Sequence, residues 1–195
     1  ALCCVEHACI SPNQVWLSVL PQFHTFGFTA LTVTPMLLGA TVHYLPRFSP
    51  LNVANTIVER GVNVVMAVPS MYAALANLKN ADRETFASIT YAISGGEPLP
   101  EAVFDAFAER FGVTLHEGYG MTESSPVVTL NTALARRRGS VGRPIPGVTV
   151  EAVDEDGAAL PAGAVGELVI RGHGVMRGYH KRPAETAQVL RDGGL

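Results

Sequence analysis

The six residues Gly118-Tyr119-Gly120-Met121-Thr122-Glu123 hold the densest chemistry in the chain. Glycine has no Cβ, so Gly118 and Gly120 let the backbone turn sharply and come close to a ligand. Between them the ring of Tyr119 is able to lie flat on a base, a contact worth ~1–3 kcal/mol by analogy with stacking in nucleic-acid sites. Thr122 offers a hydroxyl to a phosphate oxygen. Glu123 offers a hard carboxylate to Mg2+, an ion that takes one or two protein carboxylates and completes its shell with water and substrate phosphates. A purine, its phosphates and a cation are thus all addressed within one short segment. An ordinary tight turn with a solvated glutamate is the alternative that these residues alone leave open.

Two further segments have related character. Ser94-Gly95-Gly96-Glu97 places two glycines where main-chain groups are able to meet a planar ligand. Phe23-His24-Thr25-Phe26-Gly27 sets an imidazole beside two aromatic rings, suited to the wall or gate of a pocket, although a lone histidine of this kind also serves purely structural ends.

The elements that must position these segments are legible in the hydrophobic pattern. Apolar runs of strand length at 15–20, 41–45, 62–68, 89–94 and 113–117 alternate with helical stretches at 26–38, 51–60, 70–78 and 99–111. Gly39, Gly61 and Gly112 stand where those helices should stop, and Pro100 where one should start. Strands that are apolar throughout and joined by helices imply a mostly parallel sheet covered on both faces. The fold class is therefore α/β, and ligands belong at the carboxyl ends of the strands. If the strands run parallel, the loops beginning at Pro21, Pro69, Gly95 and Gly118 share one edge. From about Arg136 the texture changes to strand-like runs at 148–153 and 165–170, with a last helical stretch at 183–190, which reads as a small antiparallel, barrel-like β-subdomain. The expected division is 1–135 for the α/β part and 136–195 for the β-rich part.

Composition narrows the class. Hydrophobic residues make up 48% of the 195 and charged residues 16%, enough to bury a core and too apolar for disorder. The formal charge of -3 provides no field toward nucleic acid or anionic lipid, and Arg136-Arg137-Arg138 reads as a solvated loop. Mean hydropathy is +0.24, yet no apolar run approaches the ~20 residues of a bilayer helix. Cys3, Cys4 and Cys9 match no zinc spacing and read as packing in a reducing cytosol, while Met36, Met66 and Met71 read as core filler. Localisation is expected to be cytoplasmic, with peripheral membrane association left open.

Taken together, GYGMTE at 118–123, SGGEPLP at 94–100, LPQFHTFG at 20–27, GSVGRPIPG at 139–147 and GELVIRGHGVMRGYHKRPAET at 166–186 resemble the adenylate-forming superfamily of acyl-CoA synthetases, luciferases and peptide-synthetase adenylation domains. The five motifs stand in the family's order and cover nearly the whole chain. The resemblance implies ATP-dependent activation of a carboxylic acid to an acyl-adenylate, then transfer to the thiol of coenzyme A or of a carrier protein's phosphopantetheine. It makes Tyr119 the adenine-stacking ring, Thr122 a phosphate ligand and Glu123 the Mg2+ ligand. Gly95, Gly96 and Glu97 would line the adenine and acyl pocket, Gly118, Gly120 and Met121 would belong to the same loop, and His24 would sit where acyl group and thiol meet.

The resemblance also implies parts that are not here: a phosphate loop with its lysine before Ala1, a ribose-binding aspartate after Leu195, and a C-terminal lid domain with the adenylation lysine. The chain reads as a middle piece of a larger enzyme, inactive alone. Amino-acid-activating members carry an aspartate near the position of His24, and none stands there, so an apolar acid is expected, most like a medium- or long-chain fatty acid. A catalytically silent nucleotide-binding module, an adenylation domain for another acid, and an α/β domain whose glycines serve only turns are the rival readings.

Overall fold

The computed structural model describes residues 1–191 and 194–195. Seven strands form the larger sheet: β1 (Val15–Ser18), β2 (Thr41–Tyr44), β3 (Val64–Ala67), β4 (Tyr91–Ser94), β5 (Leu115–Gly120), β6 (Val127–Leu130) and β7 (Arg143–Pro144). Their spatial order is β2-β1-β3-β4-β5-β6-β7, the first five parallel and the last two antiparallel. The helices are α1 (Leu2–Ala8), α2 (Thr34–Leu38), α3 (Pro50–Arg60), α4 (Pro69–Ala76), α5 (Glu101–Phe111) and α6 (Pro183–Val189). A separate antiparallel pair, β8 (Val148–Val153) and β9 (Glu167–Gly172), follows the sheet.

Alternation along each strand feeds two cores. On β3, Val65 and Ala67 enter one core with Val53 and Ile57 of α3, Tyr72 and Leu75 of α4, and Phe107 and Phe111 of α5. Val64 and Met66 enter the other with Ala8 of α1, Trp16, Leu31 and Leu130. Both faces are covered, which is why these strands carry uninterrupted apolar runs. The first core is knit by aromatic rings: Phe107 meets Tyr72 edge-on at 5.2 Å and Phe86 at 5.4 Å. The buried Tyr72 hydroxyl lies 2.9 Å from Ile93 O and 3.0 Å from Val65 O.

Four differences from the sequence reading have local causes. The Gly-Tyr-Gly segment is not a free loop: β5 continues through Gly120 because Val127–Leu130 folds back and pairs with it. The stretch 26–38 is π-helical over Phe26–Val33 and α-helical only from Thr34. Pro35 lacks an N–H, so the α-helical pattern restarts there, and Thr34 Oγ1 donates to Thr29 O at 2.8 Å across the wider turn. Met36 faces outward at 72% exposure while Met66 is buried at 5%, since Leu38 rather than Met36 packs inward from α2. Strand β7, at residues 143–144, pairs with β6 and so belongs to the larger sheet.

Arg138 pairs with Asp105 at 2.7 Å and lies over the ring of Phe104, so part of the basic run is tied to α5. Cys3, Cys4 and Cys9 are free thiols, with Cys9 exposed. No helix among the described residues is long and apolar enough to cross a membrane.

Candidate functional site

The chain leaves β1, moves outward to β2, then crosses to β3, β4 and β5 on the other side, which opens a crevice at the carboxyl ends of the strands. A cavity of about 340 Å3 lies there, within the range of small-molecule sites. His24 comes from the segment after β1, Gly95 and Gly96 from the end of β4, and Gly118, Tyr119, Gly120, Met121, Thr122 and Glu123 from β5 and the turn beyond it. Three segments that lie far apart in sequence therefore meet at one rim. Glu97 does not join them; it is exposed and outside the cavity lining.

The turn after β5 is rigidly made. Register slips between Tyr119 and Gly120, where Tyr119 faces Thr129 but Gly120 faces Val127. This bulge re-aims the chain into the site. A Cβ on Gly120 would stand 2.0 Å from Pro126 O, so no other residue fits. Ser124, which is buried, accepts from the Met121 N–H at 3.2 Å and lies 2.7 Å from Pro126 O, closing the loop. The Tyr119 hydroxyl reaches Met121 Sδ at 3.8 Å, leaving its ring as the useful surface.

Polar groups collect at one end of the cavity. Thr122 and Thr25 bring their hydroxyls to 3.5 Å from each other. The Phe26 N–H donates to His24 Nδ1 at 3.1 Å, which makes Nδ1 the acceptor and leaves Nε2 to carry the ring proton. Glu123 accepts from the Tyr179 hydroxyl at 2.7 Å, and its carbonyl accepts from the Met176 N–H at 2.7 Å. That hydrogen bond to the carboxylate holds the Tyr179 phenol above its usual titration range. The remaining walls are mostly apolar, built from Ile10, Phe26, Ala30, Met66, Ile93 and Leu130, with the hydroxyl residues Thr29, Thr34, Ser94 and Thr129 among them.

The donor set suits a magnesium ion carried on phosphates. Glu123 would supply one hard oxygen ligand beside the hydroxyl of Thr122, and among the described residues no cluster of three or more His, Cys, Asp or Glu forms a dedicated cage. Magnesium on a nucleotide needs no more than that from the protein.

The same residues are covered by a family model described as AMP-binding enzyme, which matches residues 1–180. The chain belongs to the AMP-binding enzyme family. It is 34% identical to a long-chain-fatty-acid–CoA ligase of Bacillus subtilis over 92% of its length and 32% of that protein's. A feruloyl-CoA synthase of an Amycolatopsis species is 35% identical over 94% of the chain and 38% of that protein. The solved O-succinylbenzoate coenzyme A synthetase of B. subtilis, in complex with ATP and magnesium ion, superposes with a TM-score of 0.86 at 27% identity, over 100% of the chain and 40% of that structure. The chain thus spans about a third of the length of the curated relatives it matches.

Three contributors to this site carry no motif signal of their own: Ser124 closes the turn, Thr25 meets Thr122, and Tyr179 lies 56 residues from the carboxylate it touches. The motif around Tyr179 is a signal for its segment, not for this contact.

Proposed function

We propose that this chain is the central part of an enzyme that activates a carboxylic acid with ATP and passes the acyl group to a thiol. A carboxylate oxygen attacks the α-phosphorus, the bond to the bridging oxygen breaks, and pyrophosphate leaves with its electron pair. The thiol then attacks the carbonyl carbon of the acyl-adenylate, and AMP departs. Such displacements depend on positioning and charge neutralisation more than on covalent help. The observation that carries the reading is the convergence of Tyr119, Thr122, Glu123, Gly95 and Gly96 on one cavity at the strand ends.

In this reading Tyr119 stacks on the adenine, with Gly95 and Gly96 along the base and the acyl group. Thr122 binds a phosphate oxygen. Glu123 would hold Mg2+, which when bound offsets phosphate charge. Gly118, Gly120 and Met121 shape the loop, and His24 stands where acyl carbonyl and thiol meet. The acceptor is coenzyme A or a carrier-protein phosphopantetheine, and the place of action is the cytoplasm.

The acid is apolar, and a medium- or long-chain fatty acid is the first choice. Among the described residues Glu123 is the one carboxylate on the lining, at the phosphate end, so a substrate ammonium would be buried without a partner there at a cost of several kcal/mol. Relatives named for fatty, ferulic and succinylbenzoic acids make other carboxylic acids, aromatic ones among them, the runners-up.

Pyrophosphate exchange by the complete protein against a panel of carboxylic acids tests this. Exchange is expected with apolar acids, and Tyr119→Ala and Glu123→Ala should each lower it at least tenfold. Nucleotide binding without exchange for any acid would instead identify a silent nucleotide-binding module. Indifference of nucleotide binding to both substitutions would leave only an α/β domain with tight turns.

A further inference from the structure

Tyr179 comes from the segment between β9 and α6, yet its hydroxyl donates to Glu123 Oε1 at 2.7 Å. The other oxygen, Oε2, accepts no hydrogen bond among the described residues. The segment is fastened at both ends of this contact. On one side the Met176 N–H donates to Glu123 O at 2.7 Å. On the other, the Tyr179 N–H donates to Thr186 Oγ1 at 2.9 Å, and that hydroxyl donates to Arg182 O at 2.7 Å within the first turn of α6. Gly178 sits at φ +143, and a Cβ there would stand 2.7 Å from Thr186 Cγ2, so the strap needs glycine to close on the helix.

We propose that Tyr179 is a positioning residue for Glu123: its phenol holds one carboxylate oxygen and leaves the other for a divalent cation carried on nucleotide phosphates. This rests on the reading of Glu123 as the cation's ligand. A ligating carboxylate is normally oriented by an outer partner, and loss of such a partner typically weakens metal affinity 10–100-fold. Thr186 fixes the backbone from which the phenol reaches.

Equilibrium binding of Mn2+, followed by electron paramagnetic resonance on the complete protein with a non-hydrolysable ATP analogue, separates the possibilities. Tyr179→Phe is expected to weaken Mn2+ binding by about tenfold while the metal-free affinity for the analogue is unchanged. Thr186→Val should shift it in the same direction by less. Unchanged or tighter Mn2+ binding in Tyr179→Phe would overturn the proposal if Glu123→Gln still weakens it. Should Glu123→Gln also leave Mn2+ binding as it is, the assignment of Glu123 itself falls and the role of Tyr179 with it.

Discussion

At the scale of single residues, the site depends on atoms that are absent as much as on those present. Gly120 stands so close to Pro126 O that Gly120→Ala must push β5 and β6 apart at the bulge. The expected result is a loss of about 1–3 kcal/mol of stability, the usual cost of forcing extra volume into a packed place, together with loss of nucleotide binding; urea denaturation and analogue titration read the two effects separately. His116, on β5, is buried with Nδ1 unpartnered, and burial first, then the charge of Arg136, lowers its pKa below the ordinary value. The folded state thus takes up that proton less readily than the unfolded chain. Its contribution to stability is full above the unfolded value of ~6.5 and is lost as pH falls below it. Melting temperature should drop between pH 7 and pH 5, and His116→Leu should flatten that drop.

At the scale of elements, α5 shows how one side chain ties a helix to its neighbours. Arg110 donates to the carbonyls of Ala76 and Leu78, and to Ala81 O at 3.0 Å, around the end of α4. Ala76 ends α4 and Leu78 and Ala81 follow it, where helix-end carbonyls lack intrahelical partners. Arg110→Ala should cost about 2–3 kcal/mol, as expected for charge-assisted bonds to half-buried carbonyls. Phe107, at the centre of the ring cluster and 1% exposed, is a larger case. Phe107→Ala should remove about 3–5 kcal/mol through lost contacts and a cavity. Differential scanning calorimetry would rank the two, with Phe107→Ala the more damaging.

At the scale of the whole molecule, the cavity is mostly apolar and poorly charged for the triphosphate of the proposed reaction. Its lining holds no lysine or arginine; Lys79 and Lys181, the two lysines of the chain, both stand outside it. On the proposed reading, charge neutralisation of several phosphate oxygens therefore has to come from Mg2+ and from groups outside this lining. The isolated 195 residues should bind an adenine nucleotide weakly and form no acyl-adenylate. Radiolabelled fatty acid incubated with ATP, Mg2+ and the isolated chain, resolved by thin-layer chromatography, is expected to yield no adenylate, whereas the complete protein should yield it.

The sequence by itself determined the α/β layer, because period-two burial on two covered faces leaves an apolar run that is hard to mistake, and Gly39, Gly61 and Gly112 stop their helices at positive φ. It also determined the family and most of the rim, since His24 follows β1, Gly95 follows β4 and Tyr119 stands near the end of β5. What it left undecided was set by partners distant along the chain. The continuation of β5 through Gly-Tyr-Gly required Val127–Leu130 to return beside it, and the outward turn of Met36 followed from which face of α2 met the sheet. The grip of Tyr179 on Glu123 exists only because the strap before α6 closes over the turn after β5. Local pattern encodes which elements form; side-chain contacts across tens of residues are decided by how those elements pack.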